Sequence, residues 1–392
     1  MSESALDSEF VDEAVASFGA TPHFGDPSGE QWALESGRAL VRRPDLAVIS
    51  VSGADRLTWL TSLASQIVTG LVPGASRELL ILSPEGRVEH WAGASDDGEA
   101  LHLIVERADC SGFVEFLDSM RFALRVSVAE RDVAVFSSVR VGANTPEAVA
   151  GLPGHLWTWE DPWPGVVEGG AAYFQGARHP GARTPMMFHA VSRQAADEFE
   201  AAWLADGAVS GATEANAAPS SAPAAVPSSV SSPAGGKRRR AGYLAWEAMR
   251  IAAWKPRLGR DTDARAIPPE VDWLRTAVHT SKGCYRGQET IARVLNLGRP
   301  PRRLTYLQLD GSRSDLPAPG TPIALALIAR AVPVTTVFDI DGVAAAQEEI
   351  VPVHGKSSVS PQTRPGADLS REAGQRGGST GFGGLGSALG AR

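Results

Sequence analysis

"HTSKGCYRGQETIAR", residues 279–293, holds Cys284, one of two cysteines in a chain of 392 residues. Lys282 and Arg286 stand two residues to either side of the thiol, and nearby cations favour thiolate over thiol. Gly283 and Gly287 remove two Cβ atoms around it, which lets a ligand or another backbone come close. Gln288 and Glu289 add an amide and a carboxylate able to hydrogen-bond a heterocycle with both donors and acceptors. The following "TIARV" reads as a strand that would hold the loop rigidly. A plainer account fits the same residues: Cys284 as a small buried hydrophobe in a glycine-tolerant turn. A cysteine hydrolase would need a histidine base, and only His279 is near in sequence.

Upstream of this loop, "GYLAWEAMRIAAW" (242–254) is a helix of strong formers carrying Trp246, Met249, Arg250 and Ile251. "KPRLGRDTDARAIPPEVDWL" (255–274) then runs as a long loop in which Pro256, Pro268 and Pro269 prevent helix, and its apolar anchors mark it as functional. Further upstream, residues 46–51 are β-branched and apolar, Gly53 permits a tight turn, and Leu57, Leu60, Ala64 and Ile67 recur at helical spacing. "ELLILSP", "GRVEHWAG" and "ALHLIVE" read as paired strands, "SGFVEFLDSMRF" as a helix capped by Ser111, and "RVSVAERDVAVFSSV" as strand again. The pattern recurs after Pro180, where "MMFHAV" is strand-like and Ser192 precedes a helix with Phe199 and Trp203 on one face. Such mixing with short connections predicts an α+β body with largely antiparallel sheets.

Residues 1–40 are polar and punctuated by Gly and Pro, and predict an irregular arm. Residues 207–236 are almost entirely Ala, Ser, Pro, Gly and Val, a composition that buries too little apolar surface to order itself; "KRRR" (237–240) closes this insertion as a solvated loop end. The tail from residue 354 has the same character. The formal net charge of -8 excludes a global field for nucleic acid, so no direct nucleic-acid partner is expected. With no long apolar run and an acidic N-terminus, the sequence predicts no membrane partner and a cytoplasmic location. Two cysteines without paired spacing predict neither a disulfide framework nor a metal site.

"KGCYRGQE" (282–289) resembles the signature of the folate-binding YgfZ-type proteins, which share a fold with the aminomethyltransferase (T-protein) of the glycine cleavage system. "VSGADRLTWL" resembles that family's first strand-turn-helix, "LLILSPEGRVEH" its next hairpin, "AWEAMRIAAWKPRLGRDTD" its ligand-facing helix and loop, and "IPPEVDWL" the approach to the signature. "LALIAR" and "AAAQEEIV" resemble parts of its C-terminal barrel. The resemblance implies a folate-binding α+β domain over 41–206 and 241–300 and then a shortened C-terminal β-barrel over 301–353, while composition makes 207–240 a disordered insertion and 354–392 a disordered tail. It implies tetrahydrofolate as cofactor, with Trp246, Lys282 and Tyr285 against the ligand beside Cys284 as the catalytic thiol. Gln288 and Glu289 would meet the heterocycle, while Arg250 would meet the ligand's glutamate or pair with Asp261 or Asp263. On the residues alone, Trp246 reads first as a core aromatic of an amphipathic helix.

The function implied is assembly or repair of iron-sulfur clusters in client enzymes, including those that modify tRNA. A folate-dependent aminomethyl- or methyltransferase is the alternative, and a non-catalytic scaffold a second one. T-proteins carry an acidic pair after a Gly-rich hairpin where this chain has His90 and Trp91, which disfavours aminomethyl transfer. Trp254 stands where the family has Gly, and "LPAPGT" replaces a longer stretch, so the barrel is expected to lack strands and expose an edge.

Overall fold

The computed structural model describes residue 15 and residues 17–206, 237–309 and 322–361. The Ala/Ser/Pro insertion over 207–236, most of the tail and "LPAPGT" lie outside the described residues. Where residues 1–40 predict an irregular arm, the chain instead forms helix α1 (Pro27–Glu35) and enters strand β1 (Ala39–Arg42). The overlooked signal is local: Asp26 accepts a hydrogen bond from the Gly29 N–H at 3.0 Å as N-cap, and Pro27 occupies the first helical turn. Buried Glu30 then accepts from the N–H groups of Phe24 and Gly242, tying the arm to the body.

Two antiparallel sheets face each other. In the first, β2 (Leu46–Ser52), β3 (Ser76–Leu82), β4 (Val88–Asp96), β5 (Ala100–Glu106) and β6 (Ser127–Arg131) are ordered β3-β4-β5-β2-β6. In the second, β7 (Val133–Val139), β8 (His155–Glu160), β9 (Met186–Ser192) and β10 (Arg239–Arg240) join β1 in the order β10-β1-β7-β9-β8, antiparallel except for the β1–β10 pair.

Strand periodicity explains the layering. Val48, Leu80, Trp91 and Ile104 of the first sheet meet Val41, Val135, Trp159 and Phe188 of the second in the central core. Their neighbours Ile49, Leu79, Ala92 and Leu103 point the other way, onto α2 (Arg56–Leu63) and α3 (Cys110–Met120). The second sheet likewise presents Leu40, Phe136 and Val191 outward to α4 (Pro146–Ala150) and α5 (Ala196–Asp206), through Val149, Phe199 and Trp203. At the sheet contact, a Cβ on Gly93 would come within 2.6 Å of the Trp159 ring, so the indole needs glycine opposite it.

Helix α6 (Tyr243–Ala252) inserts Ala245, Trp246 and Met249 into the central core. "TIARV" is not a strand. It lies in helix α7 (Gln288–Leu297), bounded by Gly287 and Gly298 with φ of 80° and 67°, with Ile291 and Leu295 buried four residues apart. The β-branched run looks like strand, but the apolar period is helical. Helix α3 begins at Cys110 with Asp109 as N-cap residue, two residues earlier than a Ser111 cap implies.

The C-terminal sheet holds β11 (Arg302–Gln308), β12 (Ile323–Ala329), β13 (Phe338–Ile340) and β14 (Val343–Glu349) in the order β12-β11-β14-β13. Among the described residues β12 and β13 are its edges. Leu304 and Tyr306 dock it onto the central core, where Tyr306 lies 6.2 Å from Trp254.

Candidate functional site

Helix α6 and the loop after it line an inner pocket between the two sheets. Trp246, Phe188 and Trp91 supply aromatic walls, and Arg43, Asp161, Glu106, Arg250, Lys255 and Arg257 the polar ones. Phe188 meets the Trp246 indole edge-on at 5.2 Å, and the Arg43 guanidinium lies 4.9 Å over the same ring. The pocket's free volume is about 30 Å³, room for a water or two and far below the few hundred Å³ usual for a ligand site.

Its charge is dense and organised. Lys255 is buried between Glu78, at 2.5 Å, and Asp161, at 3.1 Å. Burial alone would lower the lysine's pKa, but Asp161 and Glu78 hold it above its ordinary value. Burial drives the Asp161 carboxyl up to about 6 despite Lys255. Asp161 Oδ1 accepts from the Trp163 N–H and from Lys255, whereas its Oδ2 is buried with no hydrogen-bond partner. Glu78 also accepts from Trp91 Nε1 at 2.7 Å and from the Thr276 hydroxyl. Arg250 is spent on Glu247 at 2.8 Å and on Asp261 at 2.7 Å, so of the two roles open to it from sequence the ion pair is the one formed, with Asp261 rather than Asp263. Arg257 bridges Asp45, Glu247 and Glu106.

That Glu106–Arg257 pair is also part of the wall of a second, larger space. An outer groove of about 950 Å³ runs past Glu106, Arg257 and Arg260 to Val88, His90 and Asp109. It has the volume of a small-molecule site. Inner pocket and outer groove share only this ion pair.

The signature loop stands apart from both. Cys284 is exposed; Lys282 and Tyr285 are buried; neither these residues nor Gln288 and Glu289 line the pocket or the groove. The site anticipated from sequence therefore divides in two, with Trp246 and Arg250 at the inner pocket and the other five on the loop. Lys282 donates to the carbonyls of Thr61, at 2.5 Å, and Ala64, closing the C-terminal end of α2, and burial brings its pKa down to about 8. Its ammonium lies 4.8 Å over the Tyr285 ring. Gln288 donates back to the Lys282 carbonyl at 3.2 Å, and exposed Glu289 sits in the first turn of α7.

Gly287 is where a backbone comes close, since a Cβ there would lie 2.5 Å from the Ser83 carbonyl oxygen; around Gly283 nothing lies within 4 Å. Arg286 reaches Glu89 at the rim of the outer groove, at 2.9 Å. Lys255 and Arg257 had a legible signal, two cations in a stretch otherwise bound for the core. Nothing in the sequence around Asp161 or Arg43 marks them as walls of a pocket.

Comparison with protein-family models and with curated proteins gives no match. Among solved structures, the glycine cleavage system aminomethyltransferase T from Bartonella henselae matches with a TM-score of 0.59 and 14% identity, over 88% of this chain and 97% of that one. The chain thus has the fold of an aminomethyltransferase T. No helix among the described residues is long and apolar enough to cross a membrane.

Proposed function

We propose that the protein binds a reduced folate, its benzoyl-glutamate part in the outer groove and its pterin directed towards the inner pocket. One observation carries this: inside a T-protein fold, a buried carboxylate oxygen without a partner, Asp161 Oδ2, sits on an aromatic-walled pocket behind a groove of ligand size. A pterin edge offers the N–H donors that such an oxygen lacks, and its plane suits the Trp246 and Phe188 faces. The inner pocket is too small for the ring while Glu106 and Arg257 are paired, so entry requires that bridge to part. Tetrahydrofolate, when bound, supplies a nitrogen that carries one-carbon units; the chain supplies the walls and Asp161.

The role served is maintenance of iron-sulfur client enzymes, tRNA-modifying ones among them, which rests on the "KGCYRGQE" resemblance. Cys284 supports it as an exposed thiol that a client protein can reach. The aminomethyltransferase alternative is favoured by the activity named for the structural neighbour.

Titration with tetrahydrofolate should quench tryptophan fluorescence saturably, and Asp161→Asn should weaken binding by about tenfold or more while the variant stays folded. No saturable change would remove the folate proposal. Cys284→Ala should leave that titration intact but lower client-enzyme activity in cells. Turnover of an aminomethyl-lipoyl donor would instead establish the transferase.

A further inference from the structure

We propose that His90 and Asp109 form a proton-transfer dyad serving a ligand in the outer groove; the identity of that ligand rests on the folate proposal, the dyad on geometry of its own. His90 Nδ1 lies 3.0 and 2.9 Å from the two Asp109 carboxylate oxygens. The imidazole is stacked on Phe113 at 4.4 Å with 2° between planes and tilted against Phe116 at 5.5 Å. Carboxylate and rings together fix its rotation.

Asp109 occupies the N-cap position of α3, yet its side chain makes no capping hydrogen bond. A 3-10 turn over Arg107–Asp109 leads into the helix with Asp109 in helical conformation, so its carboxylate is turned to the histidine and not to the first helical N–H groups. An acceptor at Nδ1 places the proton of a neutral imidazole there and leaves the Nε2 lone pair open. Among the described residues Nε2 has no hydrogen-bond partner, and both residues of the dyad line the groove. The other histidines with strong partners are unlike it. His102 pairs with Asp97 but is almost fully enclosed, and buried His189 engages Ser138 and Thr158 with both nitrogens.

The substrate class is a molecule with a protonated amine nitrogen, such as the ammonium form of a reduced folate's secondary amine. In the forward step one N–H bond of that ammonium breaks, its electron pair stays on the nitrogen as the lone pair of the neutral amine, and the proton forms a bond to Nε2. Asp109, still ionised, stabilises the resulting imidazolium, and the reverse step returns the proton. Asp109 is the positioning residue and His90 the one that meets the ligand.

The test uses the full chain carrying ¹⁵N-histidine, with His90→Gln to assign the resonances and 5-formyltetrahydrofolate as probe. Wild type should show His90 protonated at Nδ1 and bare at Nε2. Asp109→Asn should switch it to the Nε2–H tautomer, which a residue of purely structural role would not do. The probe should shift the Nε2 resonance and slow carbethoxylation of His90 severalfold. An Nε2–H tautomer in wild type overturns the dyad whatever binds. An unmoved Nε2 where tryptophan quenching is saturated overturns it while the folate proposal stands; absent quenching and an unmoved Nε2 overturn both.

Discussion

Glu247 shows how costly the polar shell of the inner pocket is to disturb. It is buried, and burial alone would raise its pKa, but Arg250 and Arg257 together hold the carboxyl down to about 2, against an ordinary 4.5. A depressed carboxyl stabilises the fold above its unfolded pKa and loses that contribution as the pH falls through the folded one. Glu247→Gln should therefore lose about 3–5 kcal/mol near neutrality, and its urea midpoint should converge on that of wild type as the pH falls from 4.5 towards 2; a gap unchanged across that window would contradict the assignment. From the sequence, Trp246 and Arg250 could be placed near one another because one helical turn separates them. Asp161 and Arg43 could not, since each reaches the pocket through sheet pairing that no local pattern encodes. Lys282 was legible as a cation near a thiol, but its use at the end of α2 depends on carbonyls more than 200 residues away in sequence.

At the scale of elements, the turn into α7 separates two glycines that look equivalent on paper. Gly287 has a φ of 80° and the hairpin backbone at Ser83 and Gly86 against it, whereas Gly283 borders open space. Gly287→Ala should cost upwards of about 2 kcal/mol, from the left-handed backbone and the contact together. Gly283→Ala should stay within about 0.5 kcal/mol; thermal or urea unfolding of the two variants side by side checks the contrast, and equal losses would sink it. Most strands of the two facing sheets were legible because the apolar pattern is a property of each segment by itself, but β1, β8 and β10 were not, the last lying in the "KRRR" stretch that reads as a solvated loop end. Helix α7 was not, because Thr290, Ile291 and Val294 favour extended backbone locally while burial of Ile291 and Leu295 on a common face decides for helix. Likewise α1 begins at an Asp-Pro pair that the surrounding Gly and Pro disguise as loop.

On the scale of the whole molecule, Trp254 joins the body to the C-terminal sheet. Its φ of 58° is left-handed, a conformation that suits the glycine of the resembling family, yet the indole is buried against Phe174, His179 and Tyr306 at 5.3, 5.5 and 6.2 Å. Packing outweighs backbone strain here. Trp254→Ala should lose about 3–5 kcal/mol, and Trp254→Gly about 1 kcal/mol less because it sheds the strain. A glycine variant no more stable than the alanine one, by urea midpoint, would show the backbone is unstrained. The docking of Tyr306 on Trp254 was not legible, since neither residue has a local partner. The inner pocket takes its walls from segments as far apart as Arg43 and Arg257. Anything that lodges there becomes a strut between parts of the chain far apart in sequence, and at a hundredfold excess over its Kd it would add about 2.7 kcal/mol to the folded state. Supply of such a molecule would then govern how much of this protein survives in a cell as well as what it does there.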